Sequence, residues 1–280
     1  MSAKISQLFV YPIKSCAGIS VSHFQFDNRG PLFDRRWMLV DAHTGIFLSQ
    51  RKLPKMALIS TYIDNDRVWA SPKQDHKSLP DDEIQALQLP IEGAVVDVSI
   101  WEDDVQGMDC GDEAASWFSS ILDYQCRLIY QGECQRLADT QYAEAETDVG
   151  YADGFPLLVV SQASIQFLDD ACEAKIAAEN FRPNIVIANT ESFAELNWQT
   201  LLTNTVAMKV VKACQRCVIP ALNPKTAERE PSILPVLLKH CRRNKKIYFG
   251  QNLTFRPSDN KVDRQELSLE VGQEISIIEH

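Results

Sequence analysis

The stretch RRWMLVDAHTGIFLSQ, residues 35–50, consists of two apolar runs separated by a polar turn that contains Gly45. This pattern predicts a β-hairpin. Around it, the first 110 residues hold further short apolar or alternating runs, among them ISQLFVYPI, GISVSHFQF, MALISTYI and GAVVDVSIW. Frequent short strands with turn residues between them predict a small sandwich or barrel in this part of the chain.

The second half of the chain mixes strands with a few helices. One helix is predicted over residues 112–122 with Asp112 as its cap, and a second follows the buried strand in GFPLLVVSQASI with Ser161 as its cap. SILPVLLKHCRRN predicts a short helix that Pro235 disturbs. Residues 131–154 are polar and acidic and predict a long loop. The fold class is therefore expected to be mainly β with a few helices (α+β).

The composition excludes several classes of protein. The chain has 28 Lys and Arg against 38 Asp and Glu, a net charge of −10, which argues against a general nucleic-acid or anionic-membrane binder. Lysines and a proline interrupt the N-terminal apolar run, and no stretch of 18 apolar residues occurs. We therefore expect a cytoplasmic protein with no membrane span, whose eight cysteines are reduced thiols.

Four separate segments place Lys or Arg beside Pro, Ser, Asn or Cys: YPIKSCAG (residues 11–18), FDRRW (33–37), FRPN (181–184) and KACQRC (212–217). Each follows or opens a predicted strand, so the loops can meet at one end of a sheet. If Lys14, Arg35, Arg182 and Arg216 converge, they form a cationic pocket suited to phosphate or carboxylate. The alternative is four unrelated basic residues that are solvated or ion-paired.

The CxxC pair, Cys214 and Cys217, has three interpretations. A structural zinc site needs four ligands, and only His240 and Cys241 could complete it. A thioredoxin-like redox pair needs a helix N-terminus, whereas this segment follows a predicted strand. In an extended segment residues three apart point to opposite faces, so only one thiol could face a pocket. That leaves one functional cysteine, beside Arg216, or two cysteines that are simply buried.

Together these segments resemble the MOSC family over nearly the whole chain. YPIKSCAG and FDRRWMLVD are similar to the signature of the N-terminal β-barrel domain that accompanies MOSC domains. GFPLLVVSQASI, FRPNIVI, KACQRC and FGQN are similar to the MOSC signature itself, in the expected order. The resemblance implies a small N-terminal β-barrel-like domain over residues 1–115 and a C-terminal MOSC β-barrel domain over residues 116–280.

The resemblance also implies a cofactor, molybdenum held by molybdopterin and one protein cysteine. Cys217 matches the metal ligand and is the implied catalytic residue, and Cys214 matches its structural partner. Gln215 stands where many relatives have Ser. The matching cofactor-binding positions are Lys14, Ser15, Arg35, Ser161, Arg182, Asn184, Gln215 and Arg216.

The activity implied is that of the bacterial relatives of the mitochondrial amidoxime-reducing component. These reduce N-hydroxylated compounds such as hydroxylamines, N-hydroxylated bases and amidoximes. No cysteine follows Cys241, so we expect no iron–sulfur cluster in this chain and a separate ferredoxin or flavoprotein reductase as electron donor. The alternative is a binding module or carrier, in which Cys217 holds a persulfide for metal–sulfur cluster assembly.

Overall fold

Strands dominate the fold. The computed structural model describes residues 2–73, 85–259 and 261–279. Strands make up 41% of the structure and four helices 18%. The predicted mainly β fold class with a few helices is therefore confirmed.

The elements are numbered along the chain. The strands are β1 (Lys4–Val10), β2 (Ile19–Val21), β3 (His23–Asp27), β4 (Gly30–Pro31), β5 (Trp37–Asp41), β6 (Ile59–Asp64), β7 (Arg67–Pro72), β8 (Leu87–Gln88), β9 (Ala94–Ile100), β10 (Asp103–Asp109), β11 (Cys126–Tyr130), β12 (Leu157–Ser161), β13 (Ile185–Ala188), β14 (Trp198–Leu202), β15 (Val206–Arg216), β16 (Arg242–Arg243), β17 (Lys246–Pro257), β18 (Ser268–Glu270) and β19 (Ser276–Glu279). The helices are α1 (Gly111–Leu122), α2 (Gln162–Asp170), α3 (Ala178–Phe181) and α4 (Ile233–His240).

The largest sheet has nine strands in the order β19-β14-β15-β17-β12-β13-β1-β2, with β16 paired to β17. A four-stranded sheet has the order β5-β11-β10-β9, and two three-stranded sheets have the orders β18-β3-β4 and β6-β7-β8. Among the strands that the structure describes, all pairs are antiparallel except β12 with β13, whose connection runs through α2 and α3. A parallel pair needs such a crossover, because a tight turn can only join antiparallel strands.

Each half of the chain contains a strand that pairs with a strand of the other half. β1, near the N-terminus, pairs with β13 of the second half, with Lys4 opposite Ala188. In the other direction β11 pairs with β5, with Cys126 opposite Asp41. The predicted domain division between residues 115 and 116 falls inside α1, and it stays a prediction.

The predicted hairpin over residues 35–50 forms only in part. β5 is present, but beyond the turn only an isolated bridge joins Val40 to Phe47. The Asp41 carboxylate accepts hydrogen bonds from the backbone of His43 and Thr44, which stabilises the turn. The strand that pairs with β5 along its whole length is instead β11, more than 80 residues away in the chain.

Local helix signals are accurate for α2 and less so for α1. Ser161 is the N-cap of α2, and its Oγ accepts from the Ser164 backbone N–H. Asp112 is not the cap of α1, because that helix starts at Gly111, with φ +90°. The Asp109 carboxylate accepts from the Gly111 N–H instead. α4 contains Pro235 in its first turn, where a missing N–H is tolerated.

The cores follow the sheets. One packs the inner face of the nine-stranded sheet and includes Leu8, Val159 and Leu253. Another lies between the four-stranded sheet and α1 and includes Trp37 and Phe118. Burying a side chain of this size stabilises the fold by about 1.5–3 kcal/mol. Residues from both halves of the chain line the candidate site.

Candidate functional site

The four basic residues singled out in the sequence converge. Lys14, Arg35, Arg182 and Arg216 line one cleft, so the prediction that they form a cationic pocket is favoured over four unrelated surface residues. We call this the cation cleft. The other predicted site residues that line it are Ser15, Asn184, Cys214, Gln215 and Cys217.

Three of the cleft residues sit in strained backbone. Ser15, Arg35 and Arg182 have φ values of 67°, 49° and 55°, in the left-handed region. Ser15 is the third residue of a turn closed by the Cys16 N–H on the Ile13 carbonyl at 3.1 Å. A left-handed conformation costs a residue with a side chain about 1–2 kcal/mol. Such strain concentrates at functional sites, where surrounding packing holds it in place.

Two of the cations have carboxylate partners. Lys14 Nζ donates to Asp153 Oδ1 at 2.5 Å and to the Tyr151 carbonyl at 2.9 Å. The Lys14 side chain is 6% exposed, whereas that of Asp153 is 79% exposed. Arg35 Nη1 donates to Asp34 Oδ2 at 2.6 Å. Burial lowers the pKa of Lys14, and the neighbouring Asp153 opposes that effect.

The other two cations have only backbone partners among the residues described. Arg182 Nη1 donates to the Cys16 carbonyl at 2.6 Å. Arg216 donates to the carbonyls of Phe249 and Phe181, at 2.8 and 2.9 Å. Arg216 Nη2 is buried without any partner in the described part of the chain. Among these four cations, Arg182 and Arg216 therefore have no carboxylate partner in the described part of the chain, which suits a doubly charged anion.

Tyr11, at the start of the first basic segment, holds two guanidinium groups together. The guanidinium carbons of Arg35 and Arg182 each lie 4.3 Å from its ring centroid. Burial raises the pKa of Tyr11 well above its usual value, so the ring stays neutral. Burial also lowers the pKa of Arg182, and the adjacent Arg35 adds to that effect. Cation–π contacts of this kind offset part of the repulsion between the two arginines.

Asn184 holds Arg35 in position in the cleft. Its Oδ1 accepts from Arg35 Nη1 at 3.1 Å and from the Leu158 N–H at 3.2 Å, and its Nδ2 donates to the Phe9 carbonyl at 3.2 Å. The side chain is buried, and both ends of its amide are occupied by the protein. Asn184 therefore fixes Arg35 relative to β1 and β12.

Both cysteines of the CxxC pair are among the residues that line the cleft. The expectation that only one of the two thiols faces a pocket stays a prediction. The register of β15 with β17 shifts between Ala213 and Gln215, which interrupts the strand alternation at Cys214. Cys217 lies beyond the end of β15. Cys217 is an exposed residue. Burial raises the pKa of the Cys214 thiol above its usual value.

Ser161 is the one predicted site residue that the structure places elsewhere. It is fully buried and is not among the cleft-lining residues. Its Oγ lies 3.0 Å from Thr190 Oγ1 and caps α2. These bonds use the hydroxyl within the protein, and the assignment of Ser161 to the cofactor stays a prediction.

Among the cleft-lining residues that the sequence did not single out are three aromatic or basic residues, Phe47, Arg51 and Trp101, and the acidic Asp153. Asp153 lies in the predicted long loop, and the other three come from the hairpin-rich first half. None lies in the four basic segments, and only the tertiary structure brings them together. Within residues 2–73, 85–259 and 261–279, no group of three His, Cys, Asp or Glu side chains is arranged to hold a metal ion.

Searching the described helices for one long and apolar enough to span a membrane yields none.

Comparison with known proteins gives a consistent result for the two halves. Residues 2–125 match the MOSC N-terminal beta barrel domain, and residues 146–276 match the MOSC domain. The chain is 31% identical to mitochondrial amidoxime-reducing component 1 of Mus musculus, over 88% of this chain and 74% of that protein. It is 34% identical to mitochondrial amidoxime reducing component 2 of Bos taurus, over 79% of this chain and 67% of that protein.

A third relative is larger. The chain is 29% identical to molybdenum cofactor sulfurase of Danio rerio, over 93% of this chain and 33% of that protein.

Proposed function

The chain belongs to the MOSC family, and from that membership we propose that it is a molybdenum-cofactor-dependent reductase of N-hydroxylated compounds. The observation that carries the proposal is the cation cleft, which joins two guanidinium groups that have no carboxylate partner in the described structure to an exposed cysteine in one cavity. Substrates of the proposed enzyme are hydroxylamines, N-hydroxylated bases or amidoximes. Removing such compounds would make it a detoxifying enzyme.

The residues of the cleft fit a phosphorylated pterin that carries molybdenum. Arg182 and the unpartnered Nη2 of Arg216 can receive the phosphate, with Lys14 and Ser15 beside them. The thiol of Cys217 supplies a soft ligand, which suits a thiolate-bound metal. When bound, the cofactor would supply the two-electron redox chemistry that the protein's own side chains lack.

The chain's own residues then have defined tasks. Arg182 and Arg216 bind the anionic end of the cofactor. The Tyr11 ring packs against Arg182, and the Phe249 and Phe181 carbonyls fix Arg216. Cys217 orients the reactive end. The overall reaction is R–NHOH plus two electrons and two protons, giving R–NH2 and one water.

The electrons in this proposal come from a separate ferredoxin or flavoprotein reductase. All eight cysteines are free thiols in the structure and lie apart from any metal-cluster arrangement within the described ranges. A cytoplasmic location is part of the proposal.

The test uses protein purified from a host that makes the cofactor. We expect stoichiometric molybdenum, and turnover of 6-hydroxylaminopurine when a reductase and ferredoxin are supplied. Cys217→Ser should lose both. Cys172→Ser is the matched control, because Cys172 lies near Ser232, away from the cleft. A molybdenum-loaded wild type without turnover would contradict the reductase.

The second candidate is a persulfide carrier, which the exposure of Cys217 favours. In that case, protein purified from the same host holds no molybdenum. Its mass rises by one sulfur atom, about 32 Da, on Cys217, as persulfidation requires. Mass spectrometry of the intact protein, before and after reduction, separates the two functions.

A further inference from the structure

Three side chains at the cation cleft have no task in the chemistry proposed above. Phe47, Arg51 and Trp101 line the same cleft as Cys217. They come from the first half of the chain, whereas Cys217 comes from the second. A cleft wall that is independent of the cofactor anchors is a natural place for a substrate.

Trp101 occupies an unfavourable position. It is the first of two residues that turn β9 into β10, since Ile100 pairs with Asp103. Its φ is 58°, a value that a two-residue hairpin usually gives to Gly, Asn or Asp. The residue is also 39% exposed. A tryptophan here is neither good for the turn nor well buried, and such strain points to a contact with something outside the chain.

The surroundings of Trp101 define what that contact would be. Its ring centroid lies 4.7 Å from that of Phe47, at an interplanar angle of 52°. The Arg51 guanidinium carbon lies 4.3 Å from the Trp101 centroid. In the part of the chain that the structure describes, Arg51 makes no ion pair or side-chain hydrogen bond.

The other charges nearby are already engaged. Lys14 Nζ lies 5.5 Å from the Phe47 centroid and 5.6 Å from that of Trp101, but it bonds to Asp153 and to the Tyr151 carbonyl. The Asp153 carboxylate is held by Lys14. Arg51 is therefore the cation that remains for an incoming anion at the aromatic wall.

We propose that Phe47, Trp101 and Arg51 form a substrate site for N-hydroxylated purine or pyrimidine bases that carry a phosphate group. The inference rests on the proposed function. Every nucleic acid base has a flat π-face that can stack on an aromatic side chain, so this contact does not depend on which base is bound. Arginine suits phosphate because its planar group donates two parallel hydrogen bonds. The base would lie against Trp101 with its N–OH in the cleft and its phosphate at Arg51.

Binding is tested without turnover, using calorimetry with adenosine 5′-monophosphate and adenosine as probes on protein from the cofactor-making host. Trp101→Gly should weaken both probes about tenfold, the usual loss for one stacked base. Gly suits the left-handed turn, so this variant keeps or gains stability. Arg51→Gln should weaken the monophosphate about fivefold and leave adenosine unchanged, as expected for one exposed charge pair. Arg67→Gln, on β7 and bonded to Gln88, is the matched control.

If Trp101→Gly binds each probe as tightly as the wild type does, the inference is overturned. An Arg51→Gln variant that loses both probes equally overturns it as well. Turnover of the N-hydroxylated monophosphate by wild type is measured separately. Absence of turnover with probe binding intact removes the reductase function and leaves the nucleotide site, so the two failures are distinguishable.

Discussion

At the scale of single residues, the cleft is built around Arg216. Its Nε and Nη1 are fixed by two carbonyls, and its Nη2 has no partner among the described residues. A buried donor left unpaired costs about 1–3 kcal/mol. An anion that accepts a hydrogen bond from this group recovers that free energy. The bonds of Nε and Nη1 hold the guanidinium in place, which leaves Nη2 to bind the anion.

Phosphate should therefore stabilise the wild-type protein through Arg216. We expect its unfolding temperature to rise with added phosphate, because a ligand that binds only the folded state stabilises it. Arg216→Gln should weaken phosphate binding about tenfold, the loss expected for a hydrogen bond to a charged group. Thermal unfolding over a phosphate series measures this. Arg243→Gln, exposed on β16, is the control, and equal shifts in both variants would contradict the assignment.

Glu195 gives a pH prediction at the same scale. Its Oε2 accepts from Ser164 Oγ at 2.7 Å, its Oε1 has no partner in the described structure, and burial raises its pKa. The folded state therefore favours the protonated acid, and this contribution to stability is present at low pH and is lost as pH rises through the raised pKa.

Glu195→Gln should accordingly stabilise the fold at neutral pH, because the neutral amide does not carry the charge that burial disfavours. The gain should vanish below the pKa of an unfolded glutamate, where wild type is protonated in both states. Denaturant unfolding at several pH values tests this. A gain that does not change with pH would mean that the carboxyl is not titrating there.

At the scale of elements, the irregularity shared by β15 and β17 shapes the cleft. Gly250 of β17 has φ +75°, and a Cβ there would lie 2.7 Å from Val160 Cγ1 and 3.3 Å from Arg216 Nη2. The glycine thus permits the close approach of β12, β17 and Arg216. The register shift beside Cys214 lies in the same pair of strands.

Gly250→Ala should therefore lower both stability and molybdenum content. The left-handed φ alone costs about 1–2 kcal/mol, and the contacts near Val160 add to it. Gly272→Ala is the matched control, because Gly272 has φ +92° but no atom within 4 Å of the added Cβ. Thermal unfolding and elemental analysis should show both losses for Gly250→Ala and only the smaller stability loss for Gly272→Ala.

Local signals in the sequence predict local structure well at this scale. Ser161 caps α2 as predicted because an N-cap needs only the next three residues. The hairpin over residues 35–50 was predicted too long because its first strand is completed by β11, a partner that the local pattern does not encode. For the same reason the basic motifs indicated the cation cleft, whereas Arg51 and Trp101, which lie in none of the four basic segments, were missed.

At the scale of the whole molecule, the site exists only where both halves meet. Lys14 and Arg35 come from the N-terminal half, and Arg182, Arg216 and Cys217 come from the C-terminal half. The pairing of β1 with β13 and of β11 with β5 holds the two halves together. An acidic protein of net charge −10 thereby concentrates positive charge at one place, which selects for small anionic ligands rather than extended polyanions.

A fragment that starts at residue 116 should consequently fail to fold on its own. It lacks β1, so β13 becomes an open sheet edge, and it begins inside α1, whose buried face includes Ala114 and Phe118. We expect no cooperative thermal unfolding and no bound molybdenum from this fragment. Co-expressing residues 1–115 supplies β1, the rest of α1 and both N-terminal cations. We expect this to restore part of the cooperative unfolding and part of the bound molybdenum. A fragment that unfolds cooperatively by itself would show that β1 adds little to the nine-stranded sheet.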